Sequence, residues 1–225
     1  MRFFVVILVA FVHASAHAGT HATLRVDVLP LNLEPSAETP LFGDRVTTAI
    51  ADYNVAAAAH DRQTGATTPR IAASDLGVSD TLVVVAPGLE TGVGHYLFRL
   101  EVPFGISNER KTIGLAMYPI GVQAALAQGI VAYAVAGGSA SYLDRDGPGD
   151  RGGLFTARAA FGARFAENFL AEVGYVPFAL GGSVNTNMMT LDRSSLDPAL
   201  LDDPSRVVAA GSATNLIDVS LGVSF

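Results

Sequence analysis

The nine residues from Ile217 to Phe225 constrain this chain most tightly. Their side chains alternate without a break: Ile217, Val219, Leu221, Val223 and Phe225 on one face, Asp218, Ser220, Gly222 and Ser224 on the other. Period-two alternation of this length specifies a β-strand with one apolar and one polar or small face. The pattern recurs upstream. Phe155, Ala157, Ala159, Phe161, Ala163 and Phe165 alternate with Thr156, Arg158, Ala160, Gly162 and Arg164, and Tyr96, Phe98, Leu100 and Val102 alternate with His95, Leu97, Arg99 and Glu101.

Read along the whole chain, the period predicts strands at about 24–33, 80–88, 93–104, 112–120, 130–142, 154–166, 169–181 and 214–225. Their connections largely alternate in length. Residues 34–79, 105–111, 143–153 and 182–213 are the expected long ones, and 89–92, 121–129 and the Glu167-Asn168 turn the expected short ones, although 105–111 is shorter than 121–129. Residues 44–60 do not read as a strand. Ile50, Tyr53 and Ala57 recur at helical spacing, the run Ala56–Ala59 favours a helix, and Asp44 is placed to cap it. If that stretch formed a hairpin instead, the strand count would be ten. The fourth long connection is acidic and also helix-like, running through Leu191, Asp192, Leu196, Asp197, Leu200, Asp202 and Asp203.

Half of the residues are hydrophobic and only 16% are charged, yet no stretch after Val12 approaches the ~20 apolar residues of a membrane-spanning helix. Short strands must therefore bury the apolar side chains. Two solutions satisfy this: a soluble all-β core, or a barrel whose apolar face meets lipid. The N-terminus bears on the choice. Met1-Arg2, the apolar run Phe3–Val12 and the ending Ala16-His17-Ala18 form a secretory signal peptide over residues 1–18, with cleavage near Ala18 and one domain, 19–225, left behind. There is no Cys, which excludes disulfides and thiolate metal sites. The net charge of -7 argues against a nucleic-acid partner.

A terminal strand ending on Phe225, combined with a signal peptide, resembles the closing strand of bacterial outer-membrane proteins. In size and plan, residues 24–225 are similar to the small OmpA/OmpX-type barrels. The resemblance implies an all-β, antiparallel, up-and-down transmembrane β-barrel of eight strands in the outer membrane of Gram-negative bacteria, in contact with outer-membrane lipid. It implies that the barrel-assembly machinery reads Phe225 as an assembly signal. It also implies a structural or surface-interaction role for the long loops, with an unknown extracellular partner, and no enzyme activity. The alternatives are a small porin-like pore and a secreted soluble β-barrel or sandwich that binds a ligand.

In the same phase, Arg25, Asp27, Arg99, Glu101, Arg158, Arg164, Glu172 and Asp218 fall on the lumen face. An Arg facing lipid at mid-depth costs about 2–4 kcal/mol, so a common inward phase favours a barrel, and eight strands leave room for side chains but little for a channel. A charged network that closes the lumen is expected. Asp144-Arg145-Asp146-Gly147-Pro148-Gly149-Asp150 gathers three carboxylates as a Ca²⁺ loop does, but it lacks a closing Glu and reads as a solvated hairpin loop. His21, His60 and His95 are the histidines beyond the signal, and none has a partner motif, so no catalytic, cofactor or metal site is expected. Tyr96, Phe98, Phe104, Tyr118, Tyr133, Tyr142, Phe155, Phe165, Phe169, Tyr175 and Phe178 are the candidates for interfacial girdles.

Overall fold

The computed structural model describes residues 19–108, 110–145, 150–166, 168–185 and 207–225. The signal segment 1–18, Asp146–Gly149 of the candidate Ca²⁺ loop, Glu167, and residues 186–206 of the acidic connection lie outside the described residues.

In chain order the elements are β1 (Thr20–Pro35), α1 (Gly43–Thr64), a 3-10 turn (Ala73–Asp75), β2 (Val78–Val93), β3 (Tyr96–Glu101), β4 (Phe104–Ile106), β5 (Arg110–Ala127), β6 (Ile130–Arg145), β7 (Asp150–Phe165), β8 (Phe169–Asn185), β9 (Val208–Ala213) and β10 (Leu216–Ser224). All the strands belong to one antiparallel sheet whose ladders return to their start, because β1 pairs with β2 on one side and with β9 and β10 on the other.

The ring has eight strand positions although ten segments fill them. β3 and β4 lie in line between β2 and β5, interrupted at Pro103, which has no N–H to donate. The neighbours bridge the gap: Val102 N–H donates to Pro87 O at 2.9 Å, and Pro103 O accepts from Gly114 N–H at 3.0 Å. β9 and β10 share the position between β8 and β1 and are broken at Asn215, whose φ of 60° is left-handed. The proposed hairpin at 44–60, the other route to ten strands, is not present.

The strands run longer than the sequence pattern predicts, so the connections between them are shorter than expected. Residues 89–93 belong to β2, so the turn is Gly94-His95 and not 89–92. β5 continues to Ala127, so the expected 121–129 connection shrinks to Gln128-Gly129. Gly94 and Gly129 have φ of 61° and 73°, the conformation that tight hairpin turns demand and that costs glycine nothing. All three turns at this end are thus short. At the opposite end the expected long connections 105–111 and 143–153 shrink to 107–109 and 146–149, because the flanking strands run further than the pattern predicts, and 36–77 and 186–207 are the long ones.

The helix also departs from expectation. Asp44 lies in its first turn rather than at the N-cap, which is Phe42, and α1 spans 22 residues. Gly65 ends it in a left-handed conformation, its N–H donating to Asp61 O at 2.8 Å. α1 buries Val46, Ala49, Tyr53, Ala56 and Ala57 along one stripe. With Ile71 and Leu76, four of these pack on Val184, Val208 and Ala210 of β8 and β9. By strand alternation those three lie on the opposite face from Ala179, Ala209 and Ala213, which point inward. The helix therefore lies along the outside of the ring at its long-connection end.

Candidate functional site in the ring interior

Strand alternation sorts side chains in the opposite sense to a soluble core. On the outer face Ile120 is 70%, Phe161 66% and Leu221 65% exposed, while Arg25, Arg99 and Glu101 inside are at most 1% exposed. Along β1 the inward residues run Thr23, Arg25, Asp27, then Leu29, Leu31 and Leu33, so the interior is layered. Towards the long connections it is apolar, filled by Leu31, Leu33, Leu82, Leu154 and Val176. Nearer the short turns it is charged.

All eight sequence-predicted charges sit in this interior, and seven are linked through Glu172 and Glu90. Arg25 grips Glu101 with two bonds, Nε to Oε1 at 2.7 Å and Nη2 to Oε2 at 2.5 Å, and reaches Glu172 Oε1 at 2.5 Å. Glu172 also receives Arg99 Nη1 at 2.7 Å on Oε2 and faces Arg158 Nη1 at 2.7 Å. Arg158 holds Asp218 through Nε and Nη2 at 2.7 and 2.5 Å. Paired two-point contacts of this kind fix both partners' orientation as well as their charge. Asp27 hangs from the network's edge, 3.4 Å from Arg25 Nη1.

Glu90 joins the network, although the sequence pattern places it in the 89–92 connection. Arg99 donates to its Oε2 at 3.0 Å, and Arg164 binds its Oε1. Pro87-Gly88 reads as a strand end, which puts Glu90 beyond the strand; in the structure the inward phase of Ala86 and Gly88 carries straight on to it. Tyr118 and Tyr133 are corrections of the girdle expectation. They are buried inside the ring, with the Arg99 guanidinium 5.8 and 5.1 Å from their ring centres. Inward glycines leave space for these large groups: a side chain at Gly174 would strike Asp218, and one at Gly162 would strike Tyr133.

At the short-turn end a recess of about 450 Å³ is lined by His21, Glu90, His95, Gln123 and Arg164. Two of these residues, Glu90 and Arg164, also belong to the network, in which Glu90 pairs with the fully buried Arg99. His95 lies in the turn itself, its Nδ1 3.4 Å from Gln123 O. Among the described residues no histidine bonds a hydroxyl or carboxylate side chain, and no group of three His, Cys, Asp or Glu has metal-site geometry. Phe225 is 63% exposed, and its N–H donates to Ala22 O at 2.9 Å.

Compared with protein-family models, curated proteins and solved structures, the chain matches none of them.

Proposed function

We propose that this chain is an exported eight-stranded β-barrel of a bacterial outer membrane, with a structural or surface-interaction role and a lumen closed by its ion-pair network. One observation carries the reading: apolar side chains cover the outside of the ring and charges are gathered within it. Exposed apolar surface of this extent marks contact with another apolar phase, and a closed ring leaves no unpaired strand edge for lipid to meet.

The belt has limits that suit a bilayer. On β5 the outward residues Ile113, Leu115, Met117, Ile120 and Val122 are all exposed; at ~3.3 Å per residue and a tilt near 40° they cover roughly 23 Å of depth, against about 25 Å for an outer-membrane apolar band. Beyond it, towards the long connections, outward positions turn polar: Asn32, Glu34, Ser79, Thr81, and the cross-strand row Lys111, Asp144 and Arg151. That end would face outward with α1, and Phe225 at the other end would serve the assembly machinery.

The test is gel mobility of residues 19–225, refolded in detergent, with and without boiling. A heat-modifiable band with β-type circular dichroism supports the barrel, and a monomer soluble without detergent overturns it. Planar-bilayer recording then separates a closed lumen, which gives no steady conductance, from a pore.

A further inference from the structure

Above the apolar belt one strand outruns its neighbour. β2 pairs with β1 as far as Val78, which lies opposite Leu33. On its other side β4 reaches only to Val83, and the chain then turns back into β5 over residues 107–109. Residues 78–82 of β2 therefore have a strand partner on one side and, among the described residues, none on the other. The phase of the main chain follows from Pro87 O, which accepts Val102 N–H at 2.9 Å. Main-chain groups of successive strand residues point to opposite neighbours, so the odd-numbered residues of β2 face the β3–β4 side. The N–H and C=O of Ser79 and the C=O of Thr81 thus point to the open edge. Thr81 N–H points the same way and is capped by Asp80 Oδ1 at 2.8 Å.

A hollow of about 650 Å³ lies against this edge, lined by Ser79, Asp80 and Thr81 on β2 and by Ile106, Ser107 and Asn108 at the tip of the β4–β5 hairpin. Its polar lining is neutral. Asn32, Ser79, Thr81 and Asn108 carry amides and hydroxyls, while Asp80 is paired with Arg110 at 3.2 Å and accepts Ser107 Oγ at 2.5 Å. Its lower end is apolar, where Val83 and Ile106 are exposed at the top of the belt. Above Val83 the hairpin reaches β2 through the side chains of Ser107 and Arg110 and leaves the main-chain edge open. The segment Val78–Leu82 carries neither Pro nor Lys, and its register with β1 has no bulge; these are three of the devices that blunt an edge strand against pairing.

We propose that this edge takes up an extended, uncharged segment of a partner protein as one added strand. The main chain of Ser79 and Thr81 supplies the affinity, and the hollow supplies the selectivity. Hydroxyl or amide side chains of the segment meet Asn32 and Asn108, and one apolar or β-branched side chain meets Val83 and Ile106. A charged segment is disfavoured, because the charged residue lining the hollow, Asp80, is already paired and offers nothing to offset the desolvation of a second charge. The inference deepens the surface-interaction role and rests on that reading, since the edge lies at the end assigned to the outside.

The experiment takes residues 19–225 refolded in detergent, checks the heat-modifiable band, and titrates the chain with the fluorescein-labelled peptide Thr-Val-Thr-Val-Thr-Val-Thr. Fluorescence anisotropy should rise saturably. The same peptide with its amides N-methylated keeps the side chains and loses the strand-pairing donors, and it should bind at least about ten-fold more weakly. Ser79→Pro removes the edge N–H and leaves the β1 ladder intact; it should weaken binding by about the same factor, whereas Ser79→Ala keeps the main chain and should change it less than about three-fold. A folded chain that binds neither peptide, that binds both equally, or that loses no affinity in Ser79→Pro would overturn the site while the barrel reading stands. A chain that is dimeric without peptide and monomeric as Ser79→Pro would overturn it in favour of a second copy. Absence of the heat-modifiable band would refute the barrel reading and the inference with it. Should Ser79→Pro not fold, the comparison of the two peptides decides alone.

Discussion

Arg25 Nη1 of β1 and Glu172 Oε1 of β8 meet at 2.5 Å across the interior, 147 residues apart in sequence. Glu172 faces three guanidiniums at once, those of Arg25, Arg99 and Arg158. Removing one member of a buried charge group leaves its partners uncompensated, at a cost of about 3–5 kcal/mol. Glu172→Ala should therefore destabilise the fold by that amount in urea unfolding followed by circular dichroism. Arg164, with one partner and a side chain 11% exposed at the recess, gives the contrast: Arg164→Gln should cost roughly 1 kcal/mol, near the range of pairs that keep contact with water. Equal losses in the two variants would contradict the layered interior.

Gly174 lies under the Arg158–Asp218 pair. An added Cβ would sit 2.6 Å from Arg158 Nε and against the Asp218 carboxylate. Gly174→Ala should cost about 1–3 kcal/mol through overpacking. Gly43, at the start of α1, has open space around it, and Gly43→Ala should leave stability unchanged or slightly raised. The same unfolding assay reads both.

Tyr53 anchors α1. It is fully buried, and its hydroxyl donates to Pro69 O at 3.1 Å. Because the helix lies outside the ring, Tyr53→Ala should undock it while the strand ladders persist. Limited proteolysis should then cut within 36–77 at a much higher rate, with the β-type dichroism retained. Loss of both together would show that ring and helix fold as one unit.

Asp61 tests the same region by pH. The Thr68 hydroxyl, 2.6 Å away, and then Arg70 hold its carboxyl down at about 2. The folded value lies below the unfolded one of about 3.9, so the stabilisation is present above pH ~4 and is lost as the pH falls through about 2. The Thr68 amide, which donates to Asp61 Oδ1 at 2.9 Å, should show an NMR titration with a midpoint near 2 that disappears in Asp61→Asn. A midpoint near 4 would mean the pairing is absent in solution.

Much of this architecture was readable because alternation is a strict constraint: a shift of one residue would carry every side chain of a strand to the other face. The phase of Ile217–Phe225 and of Phe155–Phe165 put Asp218, Arg158 and Arg164 on one surface, which is the interior surface in the structure. Strand ends were less legible. Pro87-Gly88 carries the signal of a turn, yet Gly88 sits mid-strand because a side chain there would collide with Glu101 Cγ, and Glu90 was lost with that boundary. Tyr118 shows the opposite failure: its residue type suggests a membrane girdle, while its phase, shared with Ala116, points inward to Arg99. Which carboxylate meets which guanidinium depends on pairings between distant strands, and no local pattern encodes those.

The absence of Trp from the chain allows the outward apolar belt to be examined one position at a time. Single-Trp variants Phe161→Trp, on the outer face, and Tyr133→Trp, in the interior, would be refolded into vesicles containing brominated lipid. Strong quenching at position 161 with little at 133 is expected of a barrel whose apolar surface meets lipid. Unquenched emission at 161, or equal quenching at the two positions, would contradict it.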